Sequence, residues 1–444
     1  MSSVTVHSRC GPVEGRCEDG VCRFLGIPYA HAERFSYPIE VTHWDGTLEA
    51  LDYGPAPVQV RAYLDGQTFT EPAFSHREFM EGVQSQYSEH CQFLNIWAPE
   101  HARNCPVLIV VHGGGLYAGQ SNEKVFDGTA FARRGVILVT FNYRVNIFGF
   151  CALPGLEASD GRCGNYGYYD QVAAFHWVAH NIQSFGGNPQ KISIIGQSAG
   201  ASAVETMIKS PLNEGLFCGA ILQSSAGFST MIRAKENRKQ CFEVWQEVFD
   251  HSGCRSLEDF RALPEKELFR LWYTTANGNY LKYATIVYDE NFCSPRKNQP
   301  CNLPILCSLT SEDVMPLLFY FLCKRLARSQ LGYANTYLYY FCRQLPGDHA
   351  GAWHSADLQY VYGTLGRSWR PFTDEDYELS SRMTRYFCNF AATGDPNGPG
   401  LPEWEPYNSG RHRFLCLDAG TCRMGQPSRL RLLHSTFFRK KAVN

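Results

Sequence analysis

Gly196-Gln197-Ser198-Ala199-Gly200 is a G-x-S-x-G pentapeptide, the spacing in which a serine hydroxyl is turned into a nucleophile. Composition alone supplies ~0.2 such pentapeptides in a chain of this size, so the setting has to decide. The motif directly follows the apolar run Lys191–Ile195 and precedes Ala201-Ser202-Ala203-Val204, a sequence suited to starting a helix. A strand that turns this sharply into a helix strains the serine backbone, and flanking glycines let neighbouring chain pass closely. The hydroxyl then stands at the carboxyl end of a sheet and the N-terminus of a helix. A plain glycine-rich turn is the bland alternative. His112-Gly113-Gly114-Gly115 follows a second apolar run, Val107–Val111. Consecutive glycines leave backbone N–H groups unobstructed, and two such donors aimed at one point stabilise an oxyanion; losing one costs about 10²–10³ in rate. A phosphate loop is the other chemistry such a run could serve, but no G-K-[ST] follows. Together the two segments point to attack by Ser198 on a carbonyl carbon.

Groups of this kind need strands that end where the motifs begin. Val107–Val111, Val136–Phe141, Lys191–Ile195 and Gly219–Gln223 read as strands, and their β-branched runs without polar alternation suit a sheet covered on both faces. Asp170–Phe185, apolar at Val172, Phe175, Val178 and Ile182, has helical spacing. Cys241, Val244, Trp245, Val248 and Phe249 mark a second helix, and Leu317–Arg328 a third. Pro304–Leu309 and Thr336–Cys342 are further strands. This alternation predicts an α/β fold. No repeat, low-complexity tract or Pro/Ser-rich linker divides the chain, so residues 1–444 read as one domain with insertions.

The 41 basic and 43 acidic residues leave a formal charge of −2, which gives no electrostatic footprint for nucleic acid or a membrane surface. The longest dense apolar run, Met315–Cys323, contains Pro316 and falls far short of the roughly 20 residues that span a bilayer. With 14% aromatic and 19% charged residues, the composition favours a thick core and aromatic-lined clefts over disorder. Eighteen cysteines are scattered along the chain without a C-x-x-C pair, and the spacings Cys17/Cys22 and Cys301/Cys307 do not fit a zinc site. A chain this long does not need a disulfide framework. The N-terminal residues lack an apolar h-region, and no N-x-[ST] acceptor occurs. Free thiols and a cytoplasmic location are therefore expected.

The motifs also resemble those of the type B carboxylesterase/cholinesterase family, in its bacterial-like cytosolic form. Phe24-Leu-Gly-Ile-Pro-Tyr-Ala30, Tyr53-Gly-Pro55 and Ser88-Glu-His-Cys-Gln-Phe-Leu-Asn-Ile-Trp97 are similar to its N-terminal landmarks. Phe141-Asn-Tyr-Arg144, Gly164-Asn165, Asp170-Gln171, Phe185-Gly-Gly187 and Thr393-Gly-Asp-Pro-Asn397 match later blocks. The resemblance implies an α/β-hydrolase fold: a central, mostly parallel sheet flanked by helices. It implies an ester hydrolase with Ser198 as nucleophile, working through an acyl-enzyme without metal or organic cofactor. It places the base at His354, within Gly351-Ala-Trp-His-Ser-Ala-Asp-Leu-Gln-Tyr-Val-Tyr-Gly363, rather than at His349. Laid without gaps on residues 304–314, the family's acid falls on Asp313, although Ser308 and Val314 replace its glycines. Glu312 is the neighbour, and in extended chain the two carboxylates point opposite ways, so one alone reaches His354.

The oxyanion donors implied are the backbone N–H groups of Gly114, Gly115 and Ala199. Loops around Leu116, Tyr117, Phe228 and Trp353 would line the pocket, with 228–300 a helical insertion beside it, which suggests small, uncharged or aromatic esters. A non-catalytic adhesion module and an amide or carbamate hydrolase are the alternatives. The partner is a small-molecule ester, with no nucleic acid or membrane. In secreted relatives the cysteine matching Cys91 is disulfide-bonded upstream; residues 51–90 hold no cysteine here, so Cys91 should be free. Only 40 residues separate Asp313 from His354, which leaves little chain for a cap and predicts a shallow, open cleft.

Overall fold

The computed structural model describes residues 2–227, 238–284, 286–289, 291–292 and 300–437. Twelve strands form the continuous path of one large sheet: β1 (Ser2–Ser8), β2 (Gly11–Glu18), β3 (Val21–Pro28), β4 (Phe93–Pro99), β5 (Cys105–Val111), β6 (Ile137–Phe141), β7 (Gly187–Gln197), β8 (Gly219–Gln223), β9 (Ile305–Thr310), β10 (Thr336–Phe341), β11 (Phe414–Asp418) and β12 (Thr421–Gly425). Their spatial order is β1-β2-β3-β4-β6-β5-β7-β8-β9-β10-β11-β12. The run from β6 to β11 is parallel, and antiparallel strands close both ends. This is the mostly parallel α/β sheet expected from the strand runs, and all six strands read from the sequence are present.

Both faces are covered, which is why these strands carry no polar alternation. Val107, Ile109 and Val111 of β5 enter one core with α1 (Tyr166–Asn181) and α2 (Ala199–Met207). Leu108 and Val110 point into the other, beneath α3 (Asp374–Thr393). The helix expected over 170–185 starts four residues earlier, at Tyr166. It gives way to a 3₁₀ turn over Ile182–Phe185. Tyr166, Tyr168 and Tyr169 are all buried, so this first turn has no polar face for a periodicity to detect.

The strand order reverses at β5, which has β6 on one side and β7 on the other. In open α/β sheets such a switch point leaves a crevice at the carboxyl ends of the two strands, where ligands bind. Here those ends carry His112-Gly113-Gly114-Gly115 and Ser198. Between β8 and β9 the chain forms helices at Arg238–Ser252, Leu257–Ala262 and Glu265–Ala276.

One cysteine expectation is corrected. Cys17 and Cys22 form a disulfide. Asp19 and Gly20 both take positive φ, 50° and 76°, as a two-residue hairpin turn requires. Counting outward, Glu18 faces Val21 and Cys17 faces Cys22, with Cα atoms 4.0 Å apart. The spacing suits no metal site and the chain's length needs no disulfide framework, yet antiparallel register brings the two side chains together. Thirteen other described cysteines are free thiols. Among them is Cys91, as expected, its thiol buried and pushed up by desolvation and by the nearby Asp170 carboxylate. Alkylation of the native protein followed by non-reducing mass spectrometry should yield a Cys17–Cys22 linked peptide and unmodified Cys91. A disulfide at Cys91 would contradict this arrangement.

Candidate active site

Ser198 sits between β7 and α2 with φ 57° and ψ −127°, a backbone conformation that a side-chain-bearing residue adopts only under constraint. The constraint is visible around it. Its N–H donates to the carbonyl of Gln223 on β8 at 2.9 Å, and its own carbonyl accepts the N–H of Ser202 at 3.1 Å. A Cβ on Gly196 would lie 2.3 Å from the Gly200 carbonyl oxygen, and one on Gly200 2.2 Å from that of Val111. The two outer glycines of the motif are thus places where no side chain fits. The turn closes against β5, not merely upon itself.

The 112–119 segment runs alongside. A Cβ on Gly113 would come within 3.4 Å of Ser198 Cβ, which places the triple-glycine run beside the hydroxyl-bearing carbon. Gly114 and Gly115 take positive φ, 104° and 65°. Side chains hold this loop from outside. Gln59 accepts the Gly119 N–H at 3.1 Å and donates to its carbonyl at 3.0 Å. Tyr143 donates to the His112 carbonyl at 2.8 Å, and its ring stacks on the His112 imidazole at 4.2 Å. His112 is buried, and desolvation pulls its imidazole down to about 4. It is therefore neutral at ordinary pH and acts as packing.

Asp313 and His354 come from the loops after the neighbouring strands β9 and β10. Asp313 Oδ1 lies 2.5 Å from His354 Nδ1. The N–H groups of Thr310 and Val314 donate to the same carboxylate at 3.1 and 2.9 Å, which fixes its orientation. Glu312 points the other way. It accepts from Ala352 N–H at 2.8 Å and Gln344 Nε2 at 2.9 Å and pairs with Arg431 at 2.9 Å. Glu312 N–H also donates to the Ala352 carbonyl at 3.0 Å, so the two loops are stitched together next to the Asp313–His354 contact. Burial alone would lower the His354 imidazole. The Asp313 charge and hydrogen bond, with Asp357 behind them, outweigh it and leave the group raised above its ordinary value.

With Nδ1 facing Asp313, His354 Nε2 is left to its other neighbours, and Gln197 Nε2 lies 3.2 Å from it. The amide donates to a neutral imidazole here. Sequence reasoning missed Gln197, the unspecified second position of G-x-S-x-G. It also missed Gln223 and Asp357. The Gln223 side chain donates to Asp357 Oδ2 at 3.0 Å, and Tyr339 OH donates to the same oxygen at 2.6 Å. That links the residue holding Ser198 N–H to a carboxylate three positions after His354. Asp357 stands in the family-like frame around His354, and that match was its only signal.

The expected pocket residues scatter. Tyr117 is half-buried, its ring tilted 42° against that of Tyr280 at 5.0 Å, and Tyr280 continues to Trp272 and Tyr273. Leu116 is buried. Trp353 is buried too, edge-on to Phe74 and Phe79; it opens the turn that carries His354, its carbonyl accepting the Ala356 N–H at 2.9 Å. Phe228 lies outside the described residues. Ser198 is half-buried and the His354 side chain is 21% exposed.

The sequence pattern of the carboxylesterase family matches residues 2–330 and 312–433. This chain belongs to that family. The chain is 42% identical to the fumonisin B1 esterase of Sphingopyxis macrogoltabida over 248 residues, 54% of this chain and 43% of that one. It is 26% identical to the para-nitrobenzyl esterase of Bacillus subtilis, covering 94% of this chain and 96% of that one. A solved thermophilic pNB esterase superposes with a TM-score of 0.81 at 23% identity, covering 98% and 99% of the two chains. This carboxylesterase therefore has the α/β-hydrolase fold and is a hydrolase of its family. No described helix is long and apolar enough to cross a membrane.

Proposed function

We propose that this chain is a serine carboxylic-ester hydrolase acting through Ser198, His354 and Asp313. The observation that carries the reading is the convergence at one sheet edge. A strained Ser198 turn, a triple-glycine loop beside it and an Asp313-anchored histidine all lie at the carboxyl ends of parallel strands. Asp313 holds the Nδ1–H tautomer, so the Nε2 lone pair is available to take the Ser198 proton as the hydroxyl attacks the ester carbonyl. The imidazolium formed is stabilised by Asp313 and returns its proton to the leaving alcohol. Gly114, Gly115 and Ala199 N–H groups hold the tetrahedral oxyanion. Water then repeats the attack and frees the acid.

Gln197 must surrender His354 Nε2 for this to happen, and its amide can do so by rotating. The Tyr117–Tyr280 wall supports small, uncharged or aromatic esters as substrates. A fluorophosphonate should label folded protein at Ser198, and p-nitrophenyl esters of graded acyl length should define the acyl preference. Absence of an adduct would remove the catalytic reading and favour a binding module.

The pH profile follows from the site's charge. His354 must be neutral to accept a proton, and its folded-state value is raised above the ordinary 6.5. The acid limb of kcat/KM should therefore fall above pH 6.5, with activity lost as pH drops through it. Gln197→Glu sets a second carboxylate beside the imidazole and should move that limb to higher pH. An unmoved limb in that variant would mean the 197 side chain does not face His354 in solution.

A further inference from the structure

Five of the twelve large apolar residues that are exposed among the described residues lie on or beside two helices packed against each other. They are Val314 (63%), Phe321 (56%), Leu430 (80%), Leu433 (39%) and Phe437 (67%). Phe321 is on the helix Pro316–Ser329, and the last three are on the helix Arg429–Phe437, at positions i, i+3 and i+7 of one stripe. The opposite side of that second helix is anchored. Leu432 is buried, and Arg431 donates to Glu312 Oε1 from both Nε and Nη2.

The two helices run antiparallel. Leu317 N–H meets Thr436 Oγ1 at 3.4 Å at one end. At the other, Lys324, Arg328 and Arg429 gather around His412, whose imidazole is lowered by desolvation and then by these three cations. The 23 residues of the two helices include no Asp or Glu. Among the described residues no carboxylate pairs with Lys324, Arg328 or Arg429. The chain's charge of −2 averages this face away.

We propose that this face docks on an anionic phospholipid bilayer, with Leu430, Leu433 and Phe437 at the headgroup–acyl boundary and Lys324, Arg328 and Arg429 among the phosphates. An amphipathic helix with cations flanking its apolar stripe suits such an interface, where apolar burial and attraction to anionic lipid add. A second copy of the chain is the less suitable occupant. Two-fold apposition would set the same unpaired cations against one another, with no acid on either helix to receive them. Docking needs none of the chemistry at Ser198.

The test is co-sedimentation of the full chain with phosphatidylcholine–phosphatidylglycerol vesicles, with pure phosphatidylcholine vesicles as the control. Binding at low salt should be about tenfold or more stronger to the anionic vesicles and should collapse at high salt. Leu430→Glu/Phe437→Glu should abolish it. Arg328→Gln/Arg429→Gln should weaken it by severalfold while leaving the thermal transition near wild type, since these side chains are exposed. Wild type that stays in the supernatant overturns the proposal, as does equal binding by the Leu430/Phe437 variant. A concentration-dependent dimer lost in that variant, without vesicle binding, would likewise overturn it and assign the face to self-association.

Discussion

Ser198→Ala is expected to lower ester hydrolysis by about 10⁶, to the level that binding and oxyanion stabilisation alone sustain. The fold should survive, because alanine at φ 57° is no more strained than serine and the turn is held by backbone bonds to Gln223 and Ser202. Steady-state turnover of a p-nitrophenyl ester and a thermal melt together make the measurement. Activity within tenfold of wild type would move the nucleophile elsewhere.

Asp313→Asn should cost about 10⁴ in kcat, since the amide no longer favours the Nδ1–H tautomer or the imidazolium. It should also bring the acid limb of the pH profile down, because the carboxylate is what holds His354 up against burial. Glu312→Gln, whose partners are Arg431, Gln344 and the Ala352 N–H, should do far less to the profile. If the neighbouring substitution proves the more damaging, the acid is Glu312 and the stitched loops rearrange in solution.

The residues legible in the sequence were those whose chemistry is written locally. Gly196 and Gly200 are required because backbone passes within van der Waals distance of where a side chain would be, and such a need leaves its mark on the motif itself. The parallel strands were legible for a similar reason, since burial on both faces writes an unbroken apolar run. What escaped depends on long-range partners. Gln59 and Tyr143 brace the glycine loop from 60 and 31 residues away. Gln223 reaches Asp357 across 134 residues, and nothing near either position announces the pairing. Gln197 was passed over because the motif leaves its position unspecified. Cys17 and Cys22 were missed for want of the Asp19–Gly20 turn that sets their register. Trp353, read as a cleft residue from its place beside His354, is buried edge-on to Phe74 and Phe79, partners more than 270 residues away that its own neighbourhood does not announce.

Parallel neighbours cannot be joined by a tight hairpin, so each closure from β5 through β10 waits on the chain that crosses between them. Closing those long loops is entropically costly and slow, and it precedes the contacts that reward it. Ser198 leaves the ribosome early, well before the helices spanning 238–276 and both loops that carry Asp313 and His354. On the proposed assignment, a nascent chain that has already formed its strained serine turn is hydrolytically silent. Turnover begins only when β9 and β10 have added to the sheet edge and Glu312 has met Ala352. The carboxyl-terminal half thus acts as a built-in delay, keeping the nucleophile harmless until the molecule around it is finished.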